Sequence, residues 1–195
     1  MRPQVIIFAK APYMGGAKTR LAAGIGKVHA ARLYRAMTAK IIRRIADPRW
    51  ETVIAATPQR DIGKSFGGIW PARLTRISQG QGSLTPRLLR VFTARRIRIV
   101  IGTDAPQIRA ADIAKAIALL KHNDLVLGRA DDGGFWLIAL RGPAPNDLFK
   151  GVNWSTETAL ADVANNARGS IGYLRTLIDV DDIDALKALR AKTQP

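Results

Sequence analysis

Apolar residues recur along the chain with two different spacings, and these spacings predict a regular series of helices and strands. A four-residue spacing places Leu33, Met37, Ile41 and Ile45 on one face of a helix. Helices are predicted for residues 28–45, 84–95, 110–121, 156–167 and 182–192. Short apolar runs predict strands at residues 4–9, 52–56, 97–101, 125–127, 135–140 and 172–178, with a further short strand at 74–77. Repeated strand–helix units predict a single α/β domain over residues 1–195, with a mostly parallel sheet and helices on both faces.

Composition narrows the classes of protein that this chain can be. Its 195 residues, 47% of them hydrophobic and 24% charged, fit one globular domain with a substantial core. No apolar run approaches the ~20 residues that a membrane helix needs, and the run before Lys10 is too short for a signal peptide. The absence of cysteine excludes disulfides, thiolate metal sites and a cysteine nucleophile, and a cytoplasmic location is the default expectation.

The charge balance is strongly basic, with a net charge of +16. Such a balance predicts anionic partners: phosphates, nucleic acid or a membrane surface. Because the 31 Lys and Arg residues are spread over the whole chain, they favour a generally basic surface over specific nucleic-acid binding. The 15 acidic residues are more informative, because seven of them lie in three short segments at predicted strand ends: Asp104, Asp131, Asp132, Asp179, Asp181, Asp182 and Asp184.

The segment FAKAPYMGGAKTRL, residues 8–21, lies between the first predicted strand and the first predicted helix. It combines paired glycines with three cations: Lys10, Gly15, Gly16, Lys18 and Arg20. Glycines let the backbone approach a bulky anion, and backbone N–H groups with Lys or Arg can then hold phosphate. The segment therefore predicts a nucleotide site at the carboxyl edge of the sheet, the alternative being a solvated loop. Its spacing fits neither a Walker A motif nor G-x-G-x-x-G, which disfavours P-loop kinases and Rossmann dehydrogenases.

Two of the acidic segments predict a site for a divalent cation. Asp104, in GTDAPQI, follows the strand at 97–101, where a parallel sheet presents ligands. Its carboxylate can hold Mg²⁺ or Mn²⁺, and an Asx turn or a helix cap is the equally weighted alternative. Asp179 and Asp181 share one side by strand alternation, so both can face one ion. Asp182 and Asp184 are more simply explained as acids in the first turn of the last helix.

Two further segments suggest where a second substrate would lie. Asp132, Gly133 and Gly134 precede the buried strand at 135–140. Asp-Gly is typical of a tight hairpin turn, and the functional alternative is a close-approach turn beside which an acceptor lies, with an Asp as ligand or base. Trp154 precedes Ser155 and Thr156, which are the expected caps of the helix at 156–167. Trp154 is therefore either a core residue or a wall of the acceptor pocket.

The order of these segments resembles a known family. FAKAP…GGAKTRL, GTDAP, DDGGFWLIAL, NWST and IDVDDIDAL, between residues 4 and 188, resemble the bacterial rSAM/selenodomain-associated transferases. That family belongs to the nucleotide-diphospho-sugar transferase superfamily, which has the glycosyltransferase A fold. The chain is similar, more distantly, to 2-phospho-lactate guanylyltransferase and molybdenum cofactor guanylyltransferase. It departs from the family at residues 13–16, where Tyr-Met-Gly-Gly replaces Pro-Gly, and at Ala105, where a Cys is common.

The resemblance implies roles for single residues. Lys18 and Arg20 would hold the nucleotide phosphates, and Asp104 would take the metal-binding place of the superfamily's mid-sheet carboxylate. Asp179 or Asp181 would supply the second metal ligand. Asp132, with Gly133 and Gly134, would border the acceptor.

Together, residues and resemblance predict a metal-dependent glycosyl or nucleotidyl transferase that uses Mg²⁺ or Mn²⁺. Its partners would be a nucleoside triphosphate or nucleotide sugar and an acceptor of unknown identity, without specific nucleic acid. The predicted catalytic residues are Asp104 and Asp132. The alternatives are a guanylyltransferase acting on a small phosphorylated acid, and a non-catalytic basic module that binds nucleotide or RNA.

Overall fold

A computed structural model describes residues 1–192 of the protein. The strands in this part of the chain are β1 (Gln4–Lys10), β2 (Glu51–Thr57), β3 (Thr75–Ser78), β4 (Ile97–Ile101), β5 (Leu125–Ala130), β6 (Phe135–Arg141) and β7 (Ile171–Leu177). The α-helices are α1 (Thr19–Ile25), α2 (Lys27–Arg44), α3 (Leu84–Val91), α4 (Ala110–Leu119), α5 (Ala159–Asn166) and α6 (Ile183–Ala191), and a 3₁₀ turn spans Gln59–Asp61. Across residues 1–192, no helix combines the length and apolar character that crossing a bilayer requires.

The strands form one seven-stranded sheet in the order β3-β2-β1-β4-β6-β5-β7. Six strands run parallel, and β6 is antiparallel to both of its neighbours, β4 and β5. The strand order reverses between β1 and β4, because the chain moves from β1 outward to β3 and then returns to the other side of β1. In such sheets the loops at the carboxyl ends of the two strands separate and leave a crevice for a ligand.

Alternate residues of the central strands bury their side chains against helices on opposite faces of the sheet. Ile7 and Ile99 pack on one face with Ile41 of α2 and Ile113 of α4. On the other face, strand residues pack with Leu88 of α3 and with α5. Apart from Gln4, the buried positions of β1 and β4 are apolar because both faces are covered, which is typical of parallel sheets. The predicted α/β class, with a mostly parallel sheet covered on both faces, is thereby confirmed.

A third, smaller core joins α1, α2 and α6 to the segment that follows β7. Leu21 of α1, Met37 of α2 and Leu186 of α6 enclose Ile178 and Val180. This packing fixes the start of α1 beside the loop after β7, and so brings the first loop and the last acidic segment to the same edge of the sheet.

The predicted helix bounds differ from the structure at three places. Helix α1 was not predicted, because its first three residues lie inside the segment interpreted as a loop and its seven residues are too few for a repeating apolar face. The predicted helix at 84–95 ends at Val91, since Phe92 leaves helical geometry and is buried in the core. The predicted helix at 156–167 begins only at Ala159, because Ser155 has a positive φ of 63°, and Thr158 takes the N-cap position in place of Ser155 or Thr156.

Candidate functional site

Three loops meet at the carboxyl edge of the sheet, following β1, β4 and β7. The loops after β4 and β7 are joined through their backbones, because the Val180 N–H donates to the Asp104 carbonyl at 3.0 Å. The turn after β5 supports them from the side, since the Asp179 N–H donates to Asp131 Oδ1 at 3.0 Å. The side chains of these loops are therefore carried on a connected frame.

Three carboxylates from these loops converge. Asp104, Asp179 and Asp181 each offer an oxygen, and the three oxygens lie within 4.8 Å of one another. Asp179 Oδ1 is buried and has no hydrogen-bond partner. Carboxylate oxygens are the ligands that Mg²⁺ and Mn²⁺ prefer, so both the donor set and the unpaired buried oxygen fit a divalent cation. Among the described residues, no other group of acids or histidines was found in such an arrangement.

Lys18 fills the centre of this carboxylate cluster. Its Nζ atom lies 2.6 Å from Asp104 Oδ1, 2.7 Å from Asp181 Oδ1 and 3.9 Å from Asp179 Oδ1. The side chain is only 3% exposed. Lys18 is the N-cap residue of α1 and has left-handed backbone angles, φ 58° and ψ 47°, which are uncommon for a residue other than glycine. This conformation accompanies an inward-pointing side chain at a position where a loop lysine would be expected to point outward.

The charges in the cluster shift one another's protonation. Burial and the neighbouring Asp104 raise the pKa of Asp179 to about 7, against the opposing effect of Lys18. Burial alone would raise the pKa of Asp181, but Lys18 and Arg20 bring it below its ordinary value. Burial would lower the pKa of Lys18, but the three carboxylates raise it instead. Burial and repulsion between the carboxylates therefore make Asp179 easier to protonate than an ordinary aspartate.

The other predicted cations of the first loop lie at the rim of the cluster. Arg20 was interpreted as a loop residue, but it lies in the first turn of α1. Its Nη2 atom contacts Asp181 Oδ2 at 3.0 Å, while its side chain remains 68% exposed. Lys10 ends β1 with an exposed side chain, close enough to lower the pKa of Asp181. The backbone at Lys10 is fixed by Tyr34, whose hydroxyl accepts from the Lys10 N–H and donates to its carbonyl.

The paired glycines form an exposed turn in the first loop. Gly15 has a φ of 75°, and the space around its α-carbon is open. The Gly16 N–H donates to the Tyr13 carbonyl at 3.1 Å. The Tyr13 hydroxyl donates to Asp61 Oδ1 at 2.9 Å and accepts from Lys64 at 2.7 Å, which ties the loop to the segment after β2. Sequence reasoning missed Tyr13 and the fully buried Asp61 as supports of this loop, because residues 59–82 show no clear periodicity.

The predicted acceptor segment is the turn between β5 and β6. Gly133 has a φ of 84°, and a Cβ atom there would lie within 2.7 Å of the carbonyl carbon and Cα of Glu157. The Asp132 carboxylate is exposed, accepts from the Gly134 N–H at 2.9 Å and contributes to the raised pKa of Asp179. The tight-turn interpretation of this segment is correct, and Asp132 is also close enough to Asp179 to affect its pKa.

Trp154 is half-buried and lies beside this turn. Its ring packs against Phe135 and Phe149, with centroid separations of 6.1 Å in both cases. Its indole N–H donates to Thr85 Oγ1 at 2.8 Å. Trp154 therefore has a structural role in joining α3 to the segment before α5, with part of its surface left open to solvent.

Two concave regions of the surface lie outside the cluster. The larger, of about 740 Å³, is at the opposite edge of the sheet and includes no predicted site residue among those lining it. The smaller, of about 630 Å³, is lined partly by Pro106, Gln107 and Ile178, from the loops that carry Asp104 and Asp179. We call it the basic groove, because it has five cations and no acid among its lining residues: Lys40, Arg44, Arg109, Arg175 and Lys192.

Solved structures share this fold over nearly the whole chain. A candidate nucleotide-diphospho-sugar transferase from Desulfovibrio desulfuricans G20 superimposes with a TM-score of 0.89 at 25% identity, covering 98% of this chain and 88% of that one. A cytidylyltransferase from Leptospira borgpetersenii serovar Hardjo-bovis (strain JB197) gives a TM-score of 0.64 at 14% identity, covering 98% and 86%. A manganese complex of a protein from Mycobacterium tuberculosis H37Rv gives 0.54 at 13% identity, covering 97% and 98%. The Desulfovibrio structure confirms the predicted transferase class and superfamily, and the other two structures share the fold.

Sequence comparison identifies the family directly. No curated protein matches the chain. The family model described as "Uncharacterized protein conserved in bacteria (DUF2064)" matches residues 40–156, a span that includes Asp104, Asp132 and Trp154 but neither the first loop nor the segment after β7. Because this match covers more than half of the chain, the protein belongs to the DUF2064 family, and its fold is that of the nucleotide-diphospho-sugar transferases.

Proposed function

We propose that the protein is a metal-dependent transferase that binds a nucleotide sugar or a nucleoside triphosphate and transfers the glycosyl group of the first or the nucleotidyl group of the second to an acceptor. The observation that carries this proposal is the convergence of Lys18 and Arg20 with three carboxylates at the point where the strand order reverses. Cations for phosphate oxygens and carboxylates for a divalent ion are thus available in one crevice. Transfer of this kind depends mainly on positioning and charge neutralisation, so no covalent nucleophile is needed.

The carboxylate cluster would hold Mg²⁺ or Mn²⁺ through Asp104, Asp179 and Asp181. When bound, the ion would neutralise phosphate charge and polarise the bond that breaks. Asp179 would contribute its unpaired buried oxygen, Oδ1. The manganese complex among the structural neighbours supports the choice of a divalent cation, and Mg²⁺ would use the same oxygens.

The first loop would hold the phosphates. The exposed turn at Gly15 and Gly16 leaves room for a phosphate close to the backbone, and the nearby cations are Lys10, Lys18 and Arg20. On the other side of the cluster, Gly133, Gly134 and Trp154 would border the acceptor. Asp132 is exposed on that turn and would accept a proton from the attacking group of the acceptor.

Thermal unfolding with nucleotides and nucleotide sugars tests this proposal. In the presence of Mn²⁺, the matching nucleotide should raise the melting temperature of the wild-type protein, because ligands that bind the folded state stabilise it. Asp104→Asn should keep the fold and lose the Mn²⁺-dependent part of the shift. The matched control is Asp184→Asn, which removes an 83% exposed carboxylate paired only with Lys187 in the described ion pairs.

The products separate the two kinds of transfer. Release of pyrophosphate from a nucleoside triphosphate would identify a nucleotidyltransferase, and release of a nucleoside diphosphate from a nucleotide sugar would identify a glycosyltransferase. Release of pyrophosphate from GTP but from no other nucleoside triphosphate, with a small phosphorylated acid as acceptor, would identify a guanylyltransferase. If no nucleotide or nucleotide sugar shifts the melting temperature with or without Mn²⁺, the transferase proposal is wrong.

A further inference from the structure

We infer that the Lys18 ammonium and the divalent cation are alternative occupants of the carboxylate cluster, so that Lys18 acts as an internal counter-ion until metal and nucleotide arrive. This inference rests on the proposed function. Its basis is the position of Lys18 Nζ, which lies 2.6 Å and 2.7 Å from oxygens of Asp104 and Asp181. These two residues are also the ones that, with Asp179, offer oxygens to an ion.

The ammonium and a metal ion would compete for the same space. An ion held by this cluster would draw on Asp104 and Asp181, the same two carboxylates that now make short contacts with Lys18 Nζ. Both cations would use the oxygen lone pairs that face the centre of the cluster. Their like charges would also repel each other at such a short separation, since the Lys18 side chain is only 3% exposed.

The carboxylate that Lys18 leaves unsatisfied is Asp179. Its Oδ1 atom lies 3.9 Å from Lys18 Nζ, beyond hydrogen-bond distance, and has no other hydrogen-bond partner. One ammonium therefore pairs well with two of the three carboxylates. A divalent ion has the charge and the coordination number to use all three, so the cluster is better matched to the ion than to the lysine.

A second position, beside the phosphates of a bound nucleotide, is within reach of the Lys18 ammonium when it leaves the cluster. It directly follows the Gly15–Gly16 turn region and precedes α1, so a rotation of its long side chain would carry the ammonium toward phosphates held by that turn. Arg20 contacts the other oxygen of Asp181, Oδ2, and would keep that carboxylate in place during the exchange. Metal and nucleotide should therefore bind together far better than metal alone.

Direct measurement of Mn²⁺ binding without nucleotide tests the exchange. Lys18→Met keeps most of the length of the side chain and removes the competing charge. We expect this variant to bind Mn²⁺ alone at least ~10-fold more tightly than wild type, measured by the electron paramagnetic resonance signal of free Mn²⁺. The gain should disappear in Lys18→Met combined with Asp104→Asn. Lys18→Gln, which can still hydrogen-bond to two carboxylates, serves as a second variant if the methionine protein does not fold.

Arg20→Met is the matched control. It also removes one positive charge from a carboxylate of the cluster, but the Arg20 side chain is 68% exposed and does not occupy the centre. Screening by solvent should limit its effect on Mn²⁺ affinity to a small fraction of the Lys18→Met effect. An equal gain in both variants would show that lost charge alone, rather than a vacated position, explains the result and would overturn the inference.

The outcome also separates this inference from the proposed function. If wild type binds Mn²⁺ with nucleotide in an Asp104-dependent manner, but neither Lys18 variant binds Mn²⁺ alone more tightly, the exchange is refuted and the transferase proposal stands. If Lys18→Met binds Mn²⁺ tightly but no protein binds nucleotide, the exchange is supported and the transferase proposal fails.

Discussion

Gly133 is the residue of the predicted acceptor turn whose replacement should be most costly. Its φ of 84° is unfavourable for any side chain, and an added Cβ would meet the backbone of Glu157 at 2.7 Å or less. The Leu160 N–H donates to the Gly133 carbonyl at 3.1 Å, so the turn cannot move away without losing a contact to the first turn of α5. Both the backbone conformation and the lack of space therefore require glycine at this position.

The expected loss of stability in Gly133→Ala is the sum of two contributions to the free energy of unfolding. The left-handed conformation costs about 1–2 kcal/mol for alanine relative to glycine, and overpacking against backbone typically adds about 1–3 kcal/mol. We expect Gly133→Ala to destabilise the protein by roughly 2–5 kcal/mol, which is about 4–20 °C in melting temperature for a chain of this size. Gly151→Ala isolates the first cost, because Gly151 has a φ of 67° but no atom within 4 Å of its would-be Cβ.

The assay is thermal and urea-induced unfolding of both variants beside the wild-type protein, followed by circular dichroism. Gly151→Ala should lose about 1–2 kcal/mol, and Gly133→Ala should lose clearly more. The Mn²⁺-dependent nucleotide shift should also shrink in Gly133→Ala, because the displaced turn carries Asp131, which holds the Asp179 N–H. Equal losses in the two variants would refute the reasoning, since the turn would then have room for a Cβ.

Two further predictions concern electrostatics. Asp112 accepts two hydrogen bonds from Arg175, of 2.8 Å and 2.9 Å. Burial alone would raise the pKa of Asp112, but Arg175 keeps this pKa below its ordinary value. A lowered pKa stabilises the fold fully above the unfolded pKa of ~3.9, and this stability is lost as the pH falls below it. Asp112→Asn should therefore lower the free energy of unfolding, measured by urea titration, by about 1–3 kcal/mol at neutral pH and by progressively less below pH ~4. A loss independent of pH would contradict this. Oligonucleotide binding should be lost as salt rises from about 0.05 to 0.3 M and should be weakened by Lys40→Glu in the basic groove, while most nucleotide binding remains. Fluorescence anisotropy measures the binding of both ligands. Sequence-selective RNA binding that survives the higher salt would instead favour an RNA-binding module.

The sheet could be predicted from the sequence because its central strands are buried on both faces. Short, mostly apolar runs such as 97–101 and 135–140, bounded by Gly and polar turns, favour buried strands. The short helix α1 could not be predicted, because seven residues give no repeating face and its stability comes from Leu21 packing against α2 and α6. Tertiary packing also decided the ends of α3 and α5, through the burial of Phe92 and the positive φ of Ser155.

The gathering of the acids could also be predicted, since loops after parallel strands meet at one edge of a sheet. Asp104 lies 75 or more residues before Asp179 and Asp181, which are two residues apart, yet their strands end together. The inward position of Lys18 could not be predicted, because it depends on a left-handed backbone conformation that composition does not specify. The support given by Asp131 was also missed, since its contact with the Asp179 N–H depends on the arrangement of β5 beside β7.

The inward position of Lys18 makes one side chain important both for the stability of the carboxylate cluster and for the proposed binding of phosphate. Three carboxylates held on joined loops repel one another, and the remote cations of a +16 protein are too far away to offset this at physiological salt, where screening acts over ~8 Å. Lys18, with Arg20 and Lys10 at the rim, is close enough to do so. A lysine in a solvated loop could be replaced with little effect on folding, whereas this one is 3% exposed and balances the cluster. Loss of nucleotide binding in a Lys18 variant is therefore informative about phosphate contacts only when its stability is measured with and without Mn²⁺, because the ion can restore the balance that the lysine provided.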